Sequence, residues 1–370
     1  MPATPSSCVT CFVYKKHMAL FNKKNVGLIG VDFGSGAIKI VELINTSGTI
    51  ELVTYGLGIK DRVTVKTDAV RNQQATVGQL THILKESRVN TTRVVAALPA
   101  VNVFTTVITM PPMPKKEIEA AIRWEAKKMV PLPLDKMSID WHPVPVDPND
   151  PKEKDKFKII MTTAPSDVIQ GYVSMMRSAG LQLVGLETEA TALRRSLLPS
   201  AHGCQLLLDM GASTSNVIIF DHGLPVVTRN IDVGGEAINR NIANAMNISL
   251  DRAAQFRDDI GLPANGLPSH PVHQAISFVI DNLIIQELTR VLNTYQMGGG
   301  RPIDRITIAG GCSHIKNLAT YLTTRTKHTA VIGNPWQEIS YHPELQPDLD
   351  KLAPQMAVAI GLALKIKTTP

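Results

Sequence analysis

Two short stretches of the chain carry residues suited to holding a phosphate and a divalent cation. In the first, Asp32-Phe-Gly34-Ser35-Gly36 closes an apolar run, and Lys39 stands seven residues after the aspartate. In the second, Asp209-Met-Gly211-Ala212-Ser213-Thr214 closes another apolar run. Glycines permit a tight turn whose backbone N–H groups converge on an anion, and Ser or Thr adds hydroxyl donors. An aspartate there repels a phosphate directly, yet it holds Mg²⁺ through water, and the ion bridges phosphate oxygens. Lys39 is placed to neutralise a phosphate as a point charge. One Asp-x-Gly turn is ordinary turn chemistry. Two in matched settings, with Gly310-Gly311 after a third apolar run, are more specific, since the glycine pair lets backbone approach a nucleoside closely. Together they describe a nucleotide clamped between two halves of one chain.

The elements that must position these residues read as a duplication. Val26 to Leu43 is strand, turn and strand, followed by a hairpin turn at Asn45 to Gly48. Gln205 to Phe220 repeats that grammar, with its hairpin at Asp221 to Gly223. Between them, 93–180 reads as an inserted α+β module. Its helix, Pro114 to Val130, has Ile118, Ala121, Ile122, Ala126 and Met129 at helical spacing, with Lys115, Lys116, Arg123, Lys127 and Lys128 on other faces. A surface loop at 144–156, a strand from Lys158 to Thr163 and a helix from Ser166 to Ser178 complete it. The second half has helices at Ala237 to Met246 and Leu250 to Asp259, then a Gly/Pro-rich loop at 261–271. A long helix from His273 to Tyr295 follows, with Ile276, Val279, Ile280, Leu283 and Val291 on one side. A strand at Arg305 to Ala309, a helix from about Ile315 and an apolar helix from Pro354 to Leu364 end the chain.

Composition narrows the function. With 370 residues, 44% hydrophobic and 19% charged, the chain is globular and large enough for two domains. Aromatics at 5% and a net charge of +6 without a basic stripe argue against nucleic acid. Four cysteines are too few for a disulfide scaffold and suit a reducing compartment, and Cys8-x-x-Cys11 lacks a second pair at zinc spacing. The longest uncharged run, Val94 to Pro114, is broken by three prolines and is not a membrane span. Residues 1–17 read as a non-native or disordered extension, with natural translation starting at Met18.

The paired turns make the chain similar to the actin superfamily, whose two halves are ribonuclease-H-like. Within it, the chain resembles the PilM family of type IV pilus assembly. The resemblance is carried by LIGVDFGSGAIKIVEL, by AIRWEAKKMVPLPLDKMSIDW at Ala121 to Trp141, by GLETEATAL at Gly185 to Leu193, by IDVGGEAINRNIA at Ile231 to Ala243 and by NPWQEI from Asn334. It implies an α/β, actin-like ATPase fold with an inserted α+β subdomain like that of FtsA. The first half would take 18–92 and 181–203, the insert 93–180, the second half 204–232 and 303–370, and a smaller nucleotide-contacting subdomain 233–302. ATP and Mg²⁺ are the implied cofactors. Asp32 and Asp209 match the metal-organising positions, and Gly34, Ser35, Gly36, Lys39, Gly211, Ala212, Ser213 and Thr214 the phosphate positions. Gly234, Gly235, Arg257, Gly310, Gly311 and Ser313 match the adenosine side. Glu189 aligns with the residue that orients an attacking water, and Glu187 is a rival for that role. Ala254 stands where many relatives have a ribose-binding glutamate.

The implied activity is ATP binding, with slow hydrolysis an open question. The implied role is a cytoplasmic platform that captures the N-terminal segment of PilN and so sits peripherally at the inner membrane. Further pilus components of that membrane, motor ATPases and self-association are the other expected partners. Two alternatives stand beside it. A division protein like FtsA would need a C-terminal amphipathic helix, for which the end at Pro370 is short; a small-molecule kinase would need a further catalytic aspartate.

Overall fold

The computed structural model describes residues 11–13, 27–59, 70, 72–130, 133–144, 156–200, 202–264 and 270–368. The lead-in expected from Met18, the centre of the loop at 144–156 and part of that at 261–271 lie outside these residues. The first half opens with β1 (Cys11–Val13), β2 (Leu28–Phe33), β3 (Ala37–Thr46), β4 (Thr49–Ile59), α1 (Gln73–Glu86) and β5 (Arg93–Leu98). The insert follows as β6 (Phe104–Met110), α2 (Lys115–Met129), β7 (Met137–Val144) and β8 (Phe157–Pro165). The chain returns through α3 (Ser166–Ser178), β9 (Gln182–Thr188) and α4 (Glu189–Leu197). The second half contains β10 (Cys204–Met210), β11 (Ser215–Asp221), β12 (Leu224–Ile231), α5 (Gly235–Met246), α6 (Leu250–Ile260), α7 (Pro271–Val279) and α8 (Gln286–Met297). It closes with β13 (Arg305–Ala309), α9 (Leu318–Thr326), β14 (Ala330–Ile332) and α10 (Gln346–Ala363).

The duplication is visible in strand order. One sheet runs β1-β4-β3-β2-β5-β9 and the other β12-β11-β10-β13-β14. In each, a hairpin meander of antiparallel strands is followed by two parallel strands. The meanders need only tight turns, whereas the parallel neighbours need helical crossovers, which the intervening helices supply. Helices α4 and α10 lie between the halves, and the core around α10 takes side chains from both, including Leu28, Val41, Leu207 and Phe220. A Cβ on Gly361 would stand only 1.9 Å from the carbonyl oxygen of Ala192, so these two helices cross backbone to backbone.

Four expectations are revised. The insert is narrower than 93–180: β5 pairs with β2 and β9, and Tyr172, Met175 and Met176 of α3 pack on Ile29, Val31 and Leu80 of the first half. Only 104–165 stands apart, its sheet β6-β8-β7 covered by α2. The 1–17 extension is not wholly outside the fold, because β1 pairs antiparallel with β4. The final helix starts at Gln346 and contains Pro354, whose carbonyl accepts the Gly310 N–H at 3.0 Å. The long helix is interrupted by a π-turn over Ile280–Ile285. That extra residue shifts the phase, so Ile284 is buried while Leu283 is 40% exposed. Among the described residues, no helix is long and apolar enough to cross a membrane.

Candidate functional site

The strand ends of both halves meet over one pocket. Asp32 closes β2 and stands opposite Lys39 on β3, with Lys39 Nζ 2.7 Å from Asp32 Oδ2. Asp209 near the end of β10 stands opposite Asn216 on β11. Glu189 opens α4, where Thr188 caps the helix by accepting the Thr191 N–H at 3.1 Å. The cavity between them measures about 250 Å³ and is lined by Asp32, Gly34, Ser35, Gly36, Lys39, Glu189, Asp209, Gly211, Ala212, Thr214, Gly310 and Gly311. Whole-ligand pockets run roughly 300–1,000 Å³, so this volume suits the phosphate end of a nucleotide.

The two turns touch across the cleft. The Ser213 N–H donates to Ser35 Oγ at 3.2 Å, and a Cβ on Gly36 would lie 2.7 Å from that of Ala212. Gly234 packs so closely on the second turn that a Cβ would stand 2.6 Å from the Gly211 and Ala212 carbonyl oxygens. The turn is further tied by Gly235 N–H to Gly211 O at 3.0 Å and Glu236 N–H to Ala212 O at 2.8 Å.

Charge in the pocket is unbalanced, with Asp32, Asp209 and Glu189 facing one ammonium, Lys39. Burial first, then the charges of Asp32 and Asp209, push Glu189 up to about 8, against Lys39 and a backbone hydrogen bond from Ala100. Burial chiefly, with Asp32, pushes Asp209 up to about 6, against Lys39 and Asn216. For Lys39, burial pulls downward, but Asp32, Asp209 and Glu189 together hold the amine above its ordinary value. A divalent cation would relieve this surplus of negative charge. Among the described residues, no three His, Cys, Asp or Glu side chains converge to hold a metal by themselves. The donor set therefore fits an ion that keeps several waters and takes other ligands from phosphate, as Mg²⁺ does.

The expected adenosine residues divide. Gly310 and Gly311 line the pocket, and Gly311 has open space where a Cβ would be. Gly310, at φ 83°, lies against the Met210 carbonyl, which leaves no room for a side chain. Gly234, Gly235, Arg257 and Ser313 lie beside the cavity and not in its lining. Arg257 is held by Asp258 at 2.7 and 3.0 Å and by Asn239 at 3.2 Å. The hydroxyl of Ser313 is directed inward, to the Gly310 carbonyl at 2.6 Å.

Glu187 is taken by Arg195 at 2.9 and 3.1 Å and by Lys365 at 2.8 Å, and it does not line the cavity. Asn216 went unrecognised in the sequence. Its Nδ2 donates to Glu189 Oε2 at 3.3 Å, while its Oδ1 accepts from Asn230 at 2.8 Å. The signal was present, since Asn216 follows Asp209 by the same seven residues that separate Lys39 from Asp32. Leu57, Ile59, Pro354, Gln355 and Val358 also line the pocket, outside the two aspartate turns and the glycine pair.

A family model described as type IV pilus assembly protein PilM matches residues 30–367. Among solved structures, a PilM–PilN type IV pilus biogenesis complex is similar at 25% identity and a TM-score of 0.78, over 93% of this chain and 99% of that one. The ethanolamine utilization protein EutJ from Carboxydothermus hydrogenoformans is similar at 14% identity and 0.56, over 91% and 89%. MreB5 of Spiroplasma citri bound to AMPPNP is similar at 15% and 0.53, over 93% and 96%. The fold is thus that of the actin-like ATPases.

Proposed function

The chain belongs to the PilM family of type IV pilus assembly proteins, and from that premise we propose that it binds ATP with Mg²⁺ between its halves. We infer further that it captures the cytoplasmic N-terminal segment of PilN, which would hold it peripherally at the inner membrane. The observation that carries the nucleotide reading is the excess of buried carboxylates over Lys39 between two glycine turns. Similarity to a chain from a PilM–PilN complex supports the partner.

In this reading Asp32 and Asp209 would hold the metal, which would supply charge neutralisation of the phosphates. Backbone N–H groups of the two turns receive phosphate oxygens, and Gly311 gives the nucleoside room. Lys39, now paired with Asp32, would be the cation available to a phosphate oxygen, and Ser35 and Ser213, joined across the cleft, would flank the phosphates. Glu189, steadied by Asn216 and the Ala100 backbone, is placed to hold a water proton, and any slow hydrolysis would depend on it. Ala100 lies in the turn that leads from β5 into the insert, so closure around ATP would move the insert and alter PilN affinity. Other inner-membrane pilus components, motor ATPases and self-association remain further partners of the same platform.

Calorimetric titration of a PilN N-terminal peptide into the ligand-free, ADP and ATP–Mg²⁺ forms tests this. Saturable binding that differs among the three supports the coupled reading. Identical affinities would remove the coupling, and no binding in any form would remove PilN.

A further inference from the structure

Helix α2 carries a surface that neither the fold nor the pocket explains. Its inward side, with Ile118, Ile122 and Ala126, seals the sheet of the insert. Its outward side presents Trp124, 65% exposed, with exposed Lys116, Arg123, Lys127 and Lys128 around it. An indole left in water forgoes the burial that makes tryptophan useful to a core. Lys127 and Lys128 lie in the last turn, where the macrodipole favours a cation, but Lys116 lies in the first turn, where a cation is disfavoured. Glu117 shares that turn. Glu119 pairs with Arg123 at 3.4 Å and Glu125 with Lys128 at 2.7 Å, but Lys116 and Lys127 have no ion pair among the described residues. The Lys128 ammonium also stands 5.6 Å from the centre of the Trp124 ring.

We propose that this face of α2 rests on an anionic phospholipid surface, with Trp124 at headgroup level and Lys116 and Lys127 on lipid phosphates. Charge complementarity selects that occupant. Lysines are hydrated point charges suited to a diffuse anionic surface, whereas a protein's carboxylates are better gripped by arginine forks. Indole prefers the boundary between water and hydrocarbon. The contact needs neither nucleotide nor PilN, and it would set which side of the insert faces the bilayer.

The test is sedimentation of the full chain, without PilN or nucleotide, with phosphatidylglycerol–phosphatidylcholine vesicles and with pure phosphatidylcholine vesicles. Binding is expected on the anionic vesicles alone and weakens with salt. The Lys116→Ala/Lys127→Ala double variant lowers partitioning about twenty-fivefold, at about fivefold per lysine. Its urea midpoint matches wild type, because alanine suits an exposed helix. Brominated lipid quenches part of the wild-type tryptophan fluorescence, and that part is missing in Trp124→Phe. Equal binding to neutral vesicles, no binding to either, or partitioning unchanged in the double variant overturns the proposal.

Discussion

In the first half Asp32 faces Lys39 across β2 and β3, and in the second Asp209 faces Asn216 across β10 and β11. The backbone frame is the same, down to the seven-residue spacing, but one copy is an ion pair and the other is not. Asp32 has its neutralising partner within the fold. Asp209 has no cation across from it, and burial chiefly, with the charge of Asp32, pushes it up to about 6. A duplicated scaffold thus supplies two equivalent aspartate positions, and a single cross-strand side chain decides which of them is ion-paired within the ligand-free fold.

The comparison breaks most severely if the first copy loses its cation. Lys39→Met leaves Asp32 buried without its partner, which costs about 3–5 kcal/mol of stability, read by urea unfolding. Next comes Glu189. Its ordinary value of 4.5 rises to about 8 in the fold, so the folded state retains the proton across that window. The associated stability is full below 4.5 and is lost as pH rises through about 8. Unfolding of the ligand-free protein across that range will show the decline, and Glu189→Gln will flatten it by a few kcal/mol, at about 1.4 kcal/mol per unit. Asp209 behaves alike between 3.8 and about 6. Asp209→Asn therefore stabilises the ligand-free protein at pH 8, by about 3 kcal/mol on the same conversion. The smallest effect is expected from Asn216→Ala, which drops bonds to Glu189 and Asn230 for about 1 kcal/mol. Asn216→Lys sharpens the comparison by making the second copy resemble the first, and the pH dependence assigned to Asp209 should then weaken.

What could be read from the sequence follows from what is local. The turns at Asp32 and Asp209 are fixed by neighbouring residues, as are the hairpins at Ser47-Gly48 and His222-Gly223, where all four residues have positive φ. Pairing between distant strands leaves no such trace. Arg93 to Leu98 reads as the start of the insert, because nothing in VVAA records that both its neighbours are strands of the first half. Pro354 imitates a helix start, and only the bond from Gly310 to its carbonyl reveals a helix already under way. A period of 3.6 carried through 280–285 puts Leu283 in the core, since a π-turn has no signature in hydrophobic spacing. In the site, the charged and glycine positions stand out by type. Ser313 matches by type too, yet its hydroxyl is spent on its own turn. Asn216 was hidden because asparagine alone suggests no chemistry until its place in the repeat is seen.

Two aspartates on equivalent strands, Asp32 and Asp209, are proposed to form one site for a divalent cation and phosphate. Calorimetric titration of ATP into wild type, with Mg²⁺ and with the metal chelated, and into the Asp209→Asn variant tests it most directly. Binding to wild type is expected to be saturable and to weaken by at least about tenfold without Mg²⁺, or about 1.4 kcal/mol. The same loss is expected in Asp209→Asn, although that variant is the more stable protein. Equal ATP affinity with and without Mg²⁺, or an Asp209→Asn protein that binds as wild type does, would contradict the proposed site.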